Sequence, residues 1–304
     1  MHTVKHIISA SRRTDIPAFF TDWFIKRLEE GSVLVKNPYS GRVREVSLLP
    51  AHVHSIVLWS KDFRPLLRRI DEVEKHAPNL FFHFTTTGIP KALEQQTPDM
   101  KDAVKDFIFI SNRYSPGHII WRFDPVVITD RLPFEFYEDN FARLAGALKG
   151  HTTECYFSFM EPYKKVLRNF GKYTDHKLVE LSTEKRQEYA GRLSAIAEKN
   201  GMKLVACCNE YLVNGDIGMA KCIDGERLAR LFKDMDLSTK PAPTRKGCGC
   251  AQAIDIGAYD TCAHGCLYCY ANSDKEKAKR FLKSFHSEWK GLGFEGEKTE
   301  GELF

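Results

Sequence analysis

The strongest constraint on the fold is an alternation of short apolar segments with amphipathic segments along the chain. Apolar and aromatic runs bounded by turn residues predict strands, and apolar residues at spacings of three and four predict helices. The predicted strands cover residues 4–9, 32–36, 42–47, 53–59, 80–84, 118–123, 155–159, 202–207 and 252–256. Strands that alternate with helices predict a parallel sheet with helical connections.

The number of these units favours a barrel. About seven strand–helix units suit a complete or partial TIM-like (β/α) barrel better than an open doubly wound sheet. One helix is predicted over residues 183–199, where Gly201 ends it. The apolar face of the last predicted helix consists of Ala278, Phe281, Leu282, Phe285 and Trp289. We expect a barrel body over residues 1–240, a cysteine-containing segment over 241–290 that completes the barrel, and a frayed tail over 291–304.

Polar side chains follow the predicted strands where each strand ends. In a (β/α) barrel these ends meet on one face, which carries the catalytic residues. The candidates for substrate binding or proton transfer are Arg12, Arg13, Asp15, Arg122, Asp124, Glu161 and Glu210. The Arg12–Arg13 pair suits a carboxylate or phosphate, because guanidinium groups bind such anions through two hydrogen bonds. The alternative for these groups is an ion pair that only ties down a strand end.

Composition and cysteine content limit the class of protein. The 304 residues are 43% hydrophobic and 28% charged, with a net charge of +5, which supports a sizeable core and tolerates an anionic partner. No apolar run approaches the roughly 20 residues that span a bilayer, and the first residues lack the apolar core of a signal peptide. We therefore expect a cytoplasmic protein with no membrane partner. In such a reducing compartment, nine cysteines indicate metal ligation rather than disulfide pairing.

Three cysteines form the most specific motif. Cys262, Cys266 and Cys269 are separated by three and two residues. A tight loop of this spacing turns three thiolates toward one metal centre and leaves one coordination position open. The alternative is a structural zinc site whose fourth ligand is Cys248, Cys250 or His264.

The other cysteines allow a second metal site. Cys248 and Cys250 can combine with Cys208 and Cys222 to bind a second iron–sulfur cluster or a zinc ion. The alternative is that Cys208 is a core residue and that Cys222 is incidental. The cysteines that we interpret as core, because they lie within apolar predicted strands, are Cys155 and Cys207.

The cysteine spacing, with Tyr268 before the third cysteine, resembles the cluster motif of radical SAM enzymes. In that superfamily the three cysteines hold a [4Fe–4S] cluster whose fourth iron binds S-adenosylmethionine. The resemblance implies reductive cleavage of S-adenosylmethionine and hydrogen abstraction from a substrate by the 5′-deoxyadenosyl radical. It also implies a reducing electron donor and a place for Tyr268 near the adenine. Thr85 and Thr86 are candidates, by position alone, for holding the methionine part.

A longer sequence motif is more specific than the three-cysteine spacing. Residues 248–272, together with residues 9–17, resemble a bacterial and archaeal family described as a domain of unknown function with a radical-SAM-like cysteine cluster at its C-terminus. This resemblance covers nearly the whole chain. Radical SAM enzymes usually carry the motif after their first strand, whereas here it follows the last predicted strand. A barrel that is circularly permuted relative to theirs accounts for this, and it requires the last strand to lie beside the first.

Two functions remain open from the sequence. One is a radical-SAM-like enzyme that acts on a small-molecule or nucleotide-type substrate. The other is a non-catalytic zinc or iron–sulfur protein, associated with nucleic acid through the basic residues between positions 164 and 172. Such a basic set usually forms a solvated face.

Overall fold

The computed structural model describes residues 4–77, 79–243 and 247–293. Within these ranges the chain has a mixed α/β fold in which helices flank a large parallel sheet. The strands are β1 (His6–Ala10), β2 (Ser32–Lys36), β3 (Val43–Ser47), β4 (Val53–Ser60), β5 (Leu80–Thr85), β6 (Ile119–Val126), β7 (Glu154–Phe159), β8 (Lys203–Ala206), β9 (Gly218–Met219) and β10 (Ile254–Asp255).

The helices lie mainly between consecutive strands. They are α1 (Ile16–Phe19), α2 (Thr21–Glu30), α3 (Arg64–Leu67), α4 (Ile70–His76), α5 (Met100–Arg113), α6 (Phe134–Ala147), α7 (Lys164–Tyr173), α8 (Thr183–Lys199), α9 (Gly225–Phe232) and α10 (Lys275–Ser284), with a 3₁₀ turn at Glu210–Leu212. No helix among the described residues is both long and apolar enough to cross a membrane.

The large sheet has eight parallel strands in the order β10-β1-β4-β5-β6-β7-β8-β9. Its outer strands are β9 at one edge and β10 at the other. The last strand lies beside the first, since Ile8 pairs with Ile254 and Ser9 pairs with Asp255. This neighbourhood, which the permuted arrangement requires, is confirmed. β2 and β3 form a separate antiparallel hairpin.

Apolar side chains cover both faces of the sheet. Successive residues of a strand point to opposite faces, so Ile7 and Ile8 belong to two different core clusters. The larger cluster joins the sheet to the flanking helices. The smaller one includes Leu228 and Ala229 of α9. Its strand residues are Ile7, Val57, Phe81, Ile120, Tyr156 and Val205. Each large apolar side chain that is fully buried contributes roughly 1.5–3 kcal/mol, so double-sided burial explains why these strands are almost continuously apolar.

Local hydrogen bonds fix several helix boundaries. The side chains of Asp15, Ser182 and Asp274 accept from backbone N–H groups in the first turns of α1, α8 and α10. The helix predicted over residues 183–199 agrees with α8, and Gly201 follows it with a φ of +73°. That left-handed conformation favours glycine, which explains why the helix stops there.

The structure corrects the predicted end of the last helix. α10 ends at Ser284, so Phe285 and Trp289 lie beyond it. The chain becomes extended at Phe285, whose ring centre lies 4.8 Å from that of Phe20. The rings of Phe285 and Trp289 both contact the ring of Phe281. Their spacing therefore reflects aromatic packing rather than a continuous helix.

The remaining elements to compare with the sequence are β9 and α7. β9 was not predicted because two residues are too few to show a pattern, and the polar segment after β7 contains α7. The predicted closing segment over 241–290 contributes β10 and α10. Within the predicted frayed tail over 291–304, residues 294–304 lie outside the described part of the chain.

Candidate functional site

A cavity of about 720 Å³ opens at the carboxyl ends of the parallel strands. Its walls come from the C-terminal ends of β4, β5, β6 and β7 and from the segments after β1, β4, β7, β8 and β9. The connection between β10 and α10, which we call the cysteine loop (residues 256–274), completes them. The predicted site residues that line it are Arg12, Arg13, Asp15, Thr85, Arg122, Asp124, Glu161, Cys208, Glu210, Cys222, Cys262, Cys266, Tyr268 and Cys269. A cavity of this size is typical of a small-molecule site.

Three predicted site residues do not line this cavity. Thr86 is buried, its N–H donates to the Arg122 carbonyl at 3.1 Å, and its own carbonyl accepts from the Trp121 indole at 3.0 Å. Its contacts therefore tie together the backbone at the end of the sheet. Cys248 and Cys250 belong to the segment before β10, and Cys250 is buried.

The cysteine loop is held in shape by its own backbone. Gly265 has a φ of +72°, a conformation that other residues adopt only with strain. The Cys269 N–H donates to the Cys266 carbonyl at 3.2 Å. The Asn272 side-chain amide donates to the Cys262 carbonyl at 2.6 Å. These bonds join the two ends of the motif, so the three cysteines sit on one preformed loop.

His264 and Asp15 attach the cysteine loop to the sheet. The His264 Nδ1 lies 2.8 Å from the Gln96 carbonyl oxygen, and its Nε2 lies 2.7 Å from the Asp15 carboxylate. Asp15 also accepts from the Ser60 hydroxyl at 2.7 Å and from the Lys61 N–H at 2.8 Å. Both ring nitrogens are thus engaged, and His264 can serve as a fourth metal ligand only if one of these bonds breaks.

A buried ion pair lies next to the second cysteine. The Lys61 Nζ is 3.0 Å from Glu94 Oε1, and the Tyr268 hydroxyl donates to the same carboxylate. Burial lowers the pKa of Lys61, but its negative surroundings, with the Glu94 carboxylate as the main contributor, raise that pKa overall, so the ammonium group persists at neutral pH. Burial and the same negative neighbours raise the pKa of the Tyr268 hydroxyl. Sequence reasoning missed Glu94, because nothing in its spacing distinguishes it from other charged loop residues.

The three loop thiols are poor acids without a cation. Burial raises the pKa of Cys262, Cys266 and Cys269. The carboxylates of Asp15, near Cys262, and of Glu94, near Cys266, raise the pKa of these two thiols further. Metal ligation needs the thiolate, and a bound metal supplies the charge that makes it stable.

The donor set fits a thiolate-ligated cluster. Three thiols on one loop line one cavity wall. Among the described ranges, no three His, Cys, Asp or Glu side chains are gathered as ligands of a single ion. That finding does not conflict with a cluster, because the ligands of a [4Fe–4S] cluster bind different iron atoms and need not converge on one point.

Arg122 and Asp124 form an ion pair at the end of β6. The Arg122 guanidinium donates to Asp124 and, through Nη1, to the Cys222 sulfur at 3.1 Å. The Ser158 hydroxyl donates to the same carboxylate. Arg122 is only 6% exposed, so its charge acts on its immediate neighbours and on whatever occupies the cavity.

The other charged candidates line the mouth of the cavity. The Arg13 Nε lies 3.6 Å from Asp255, and its guanidinium lies 5.6 Å from the centre of the Tyr259 ring. The Arg12 guanidinium lies 5.9 Å from the centre of the Trp59 ring. Both arginines are therefore oriented by aromatic neighbours while they remain part of the cavity wall.

The two predicted glutamates follow β7 and β8. Glu161 accepts from the Asn209 side-chain amide at 3.3 Å, and Asn209 in turn accepts from the Phe159 N–H at 3.0 Å. Glu210 begins the 3₁₀ turn after β8. This bond from Asn209 links the ends of two neighbouring strands.

The basic helix α7 packs against the cysteine loop. Lys165 and Arg168 donate to backbone carbonyls of the loop, and the Lys172 Nζ lies 3.0 Å from Asp274. The basic residues between positions 164 and 172 thus brace the loop. Sequence reasoning had considered them only as a nucleic-acid contact or a solvated face.

Five cysteines outside the motif form a second group, which we call the sulfur chain. Its members are Cys207, Cys208, Cys222, Cys248 and Cys250. The Cys207 and Cys222 sulfurs are 3.6 Å apart. Cys208 interacts with Cys207, Cys250 with Cys222, and Cys248 with Cys250. Cys207, which we interpreted as core, is buried but also lines the cavity, whereas Cys155 is buried within the larger apolar cluster.

Comparison with solved structures finds weak likenesses. A variant of Rhizobium etli pyruvate carboxylase, crystallized without acetyl coenzyme A, is 14% identical with a TM-score of 0.34 over 96% of this chain. A variant carboxyl transferase domain of the same enzyme, with pyruvate, is 13% identical with a TM-score of 0.24 over 79% of this chain. This chain spans 23% and 45% of those chains, and scores this low support no conclusion about fold or function.

Comparison with protein sequences gives one family. No curated protein matches the chain. The model of the family described as a domain of unknown function (DUF1848) matches residues 7–271, and the chain belongs to this family.

Proposed function

We propose that this protein is a radical-SAM-like enzyme that cleaves S-adenosylmethionine reductively and abstracts hydrogen from a substrate in the cavity. The observation that carries the proposal is the shared wall of the cavity. Cys262, Cys266 and Cys269 line it together with charged residues from the ends of several strands. A purely structural metal site has no need of such a cavity, so this arrangement counts against the non-catalytic alternative.

The proposal includes a closed (β/α) barrel, permuted relative to radical SAM barrels. The strands follow one another in sequence order from β1 to β9, and β10 lies on the other side of β1, which is the order around an eight-stranded barrel. The interval between β9 and β10 is bridged by the Ala251 N–H, which donates to the Ile223 carbonyl at 2.9 Å. The Ile223 N–H donates in turn to the Cys250 sulfur at 3.4 Å.

The three loop cysteines would hold a [4Fe–4S] cluster. When bound, such a cluster supplies the electron that cleaves the sulfonium and generates the 5′-deoxyadenosyl radical. A reducing electron donor in the cytoplasm is the implied partner. Asp15 and His264 keep the loop against the sheet, and the Asn272 contact keeps the motif closed.

The cavity residues have distinct proposed tasks. The Lys61 ammonium, held by Glu94, presents a positive charge beside Cys266 for an anionic group of S-adenosylmethionine. Tyr268, whose hydroxyl is held by the same carboxylate, offers its ring as a surface for the adenine. Arg12 and Arg13 at the mouth suit a carboxylate or phosphate of the substrate. A walled cavity also keeps water and other hydrogen donors away from a reactive radical.

Anaerobic reconstitution of the full chain with iron and sulfide tests the proposal. We expect a reduced [4Fe–4S] signal in electron paramagnetic resonance that changes when S-adenosylmethionine is added, with 5′-deoxyadenosine as a product. Replacing Cys262, Cys266 and Cys269 together with alanine should abolish the response to S-adenosylmethionine and the formation of 5′-deoxyadenosine. Cys155→Ala, which removes a buried thiol in the apolar core, is the matched control and should retain both. Stoichiometric zinc at the loop, with no effect of S-adenosylmethionine, would contradict the proposal.

A further inference from the structure

We propose that the sulfur chain is a second thiolate site for a thiophilic metal centre, separate from the cysteine loop. The proposal uses none of the three motif cysteines. It therefore stands or falls independently of the proposed enzymatic activity.

The sulfur chain is assembled from three separate segments. Cys207 and Cys208 follow β8, Cys222 follows β9, and the other two members precede β10. The segments meet along the part of the chain that connects β9 to β10, and the Cys250 sulfur accepts from the Ile223 N–H there. Cysteines so far apart in sequence do not become neighbours through a local turn, so the fold itself brings the thiols together.

One distance in the chain already suits a bound metal. Two thiolates on a tetrahedral metal with bonds of about 2.3 Å lie about 3.8 Å apart. The Cys207 and Cys222 sulfurs are 3.6 Å apart. The described residues contain no three ligands that converge on a single ion, so the outer thiols, Cys208 and Cys248, must move inward when the site fills. Cys208 has a φ of +57°, which is unusual for a residue other than glycine and marks its backbone as a constrained position.

A positively charged side chain adjoins the sulfur chain and stabilises thiolates there. The Arg122 guanidinium donates to the Cys222 sulfur at 3.1 Å and lies 3.7 Å from the Cys207 sulfur. Metal ligation needs the thiolate form, which the charge of this guanidinium favours.

A buried histidine adjoins the same group. His83 is fully buried, and its Nε2 lies 2.8 Å from the Cys222 carbonyl oxygen. Its Nδ1 has no hydrogen-bond partner among the described residues. If Nε2 donates to that carbonyl, the buried Nδ1 retains a lone pair that is available as an acceptor or ligand.

The simpler interpretation is that the members of the sulfur chain are ordinary core thiols. Cys155 is such a case, because it packs alone among apolar residues of the larger core cluster. Buried cysteines generally behave as small hydrophobic residues of this kind. The sulfur chain differs, since its members interact with one another and three of them line the solvent-accessible cavity.

Metal analysis of the full chain, purified without oxygen, tests the site. The background is the variant in which Cys262, Cys266 and Cys269 are all alanine, so that metal bound by the loop is absent. We expect it to retain about one metal centre per chain, and Cys222→Ala with Cys250→Ala in the same background to lose it. Cys155→Ala in that background is the matched control and should retain the metal. Zinc without acid-labile sulfide identifies a single ion, and iron with an equal amount of sulfide identifies a cluster.

A second measurement covers the case in which the triple variant does not fold. In the otherwise unchanged chain, Cys222→Ala should lower the metal content by one centre while the loop signal persists. A folded triple variant that holds no metal overturns the proposal. A disulfide between Cys207 and Cys222 in the anaerobically purified chain overturns it as well. If the unchanged chain shows no cluster signal from the cysteine loop but holds the second metal centre, this proposal stands and the proposed enzymatic function is contradicted.

Discussion

Gly257 is the residue at which the last strand passes into the cysteine loop, and it has no room for a side chain. A Cβ atom there would lie 2.0 Å from the Ser11 hydroxyl oxygen and 2.6 Å from the Ser11 Cβ. Ser11 cannot simply turn away, because its hydroxyl donates to Asp255 at 2.7 Å. The close approach of the two segments therefore requires glycine at this position.

Gly257→Ala should lower the free energy of unfolding by about 1–3 kcal/mol, the usual cost of overpacking. Urea unfolding at neutral pH measures it. Gly146→Ala is the matched control, because Gly146 lies in α6 with nothing within 4 Å of an added Cβ, and it should be neutral or stabilising by roughly 0.5–1 kcal/mol. Equal effects of the two substitutions would show that the Ser11 contact is unimportant.

At the scale of elements, Asp274 joins two helices at the cysteine loop. Its carboxylate accepts from the Glu276 N–H at 2.8 Å at the start of α10, and Lys172 and Tyr173 of α7 contact it at 3.0 and 2.9 Å. The backbone N–H of Glu276 is the main cause that lowers the pKa of Asp274 to about 2, with further contributions from the two α7 residues. The folded chain thus prefers the ionised form.

This preference predicts a pH dependence. Because the pKa falls from 3.8 in its ordinary state to about 2 in the folded chain, the stabilisation is complete above about pH 4 and is lost as the pH falls through about 2. Asp274→Asn keeps the shape but not the charge, so at pH 7 it should unfold more easily by about 0.3–1 kcal/mol. The difference in the free energy of unfolding between Asp274→Asn and the unchanged chain, which we call the stability gap, should narrow below pH 4.

Urea unfolding from pH 7 to pH 3 measures that gap. Asp216→Asn, at an exposed position, is the control and should show almost no gap at any pH. If the stability gap for Asp274→Asn stays constant down to pH 3, the charge of Asp274 is not the source of the stabilisation.

At the scale of the whole molecule, one carboxylate secures the contact between the last strand and the first. Asp255 accepts from the Ser9 hydroxyl at 2.7 Å, the Ser11 hydroxyl at 2.7 Å and the Arg12 N–H at 2.9 Å. β10 itself has only two residues, so these side-chain bonds compensate for a short ladder. The position of the cysteine loop beside the sheet depends on them.

Asp255→Asn should loosen this junction without unfolding the rest. Hydrogen bonds to a charged group are worth about 1.5–3 kcal/mol, so amides from residue 254 to residue 271 should exchange with solvent about tenfold faster or more. Hydrogen-exchange mass spectrometry measures this, with the amides of β5, β6 and β7 as the internal reference and Asp216→Asn as the control variant. Uniformly faster exchange across the sheet would indicate global destabilisation instead of a local role.

The sequence predicted most of the strands, and it indicated that several residues now found in the cavity wall would lie close together, for a physical reason. Strands buried on both faces are apolar along their length, and the carboxyl ends of parallel strands meet at one edge, so Arg122 and Glu161 could be grouped before any coordinates. The same argument could not find Glu94. Its role depends on how the segment after β5 folds over the cysteine loop, where the Leu267 N–H donates to the Leu93 carbonyl at 3.0 Å.

Other features could not be predicted from the sequence, for related reasons. A charged residue such as Asp255 weakens a strand pattern, although here it strengthens the pairing. Asp15 was a candidate for substrate binding or proton transfer, and the sequence did not indicate that its oxygen atoms also contact His264 and Ser60. Long-range partners of this kind depend on the tertiary arrangement, which local spacing does not specify.

The place of the cysteine loop after the last strand of the sheet also affects how the protein is made. Ribosomes release N-terminal segments first, at roughly 5–20 residues per second. The strands that form the cavity walls therefore leave the ribosome before Cys262 is translated. An interrupted translation product that stops before this residue contains the strands that line the cavity but none of the loop thiols. The metal centre proposed for the loop would therefore be assembled only after these strands have been synthesised.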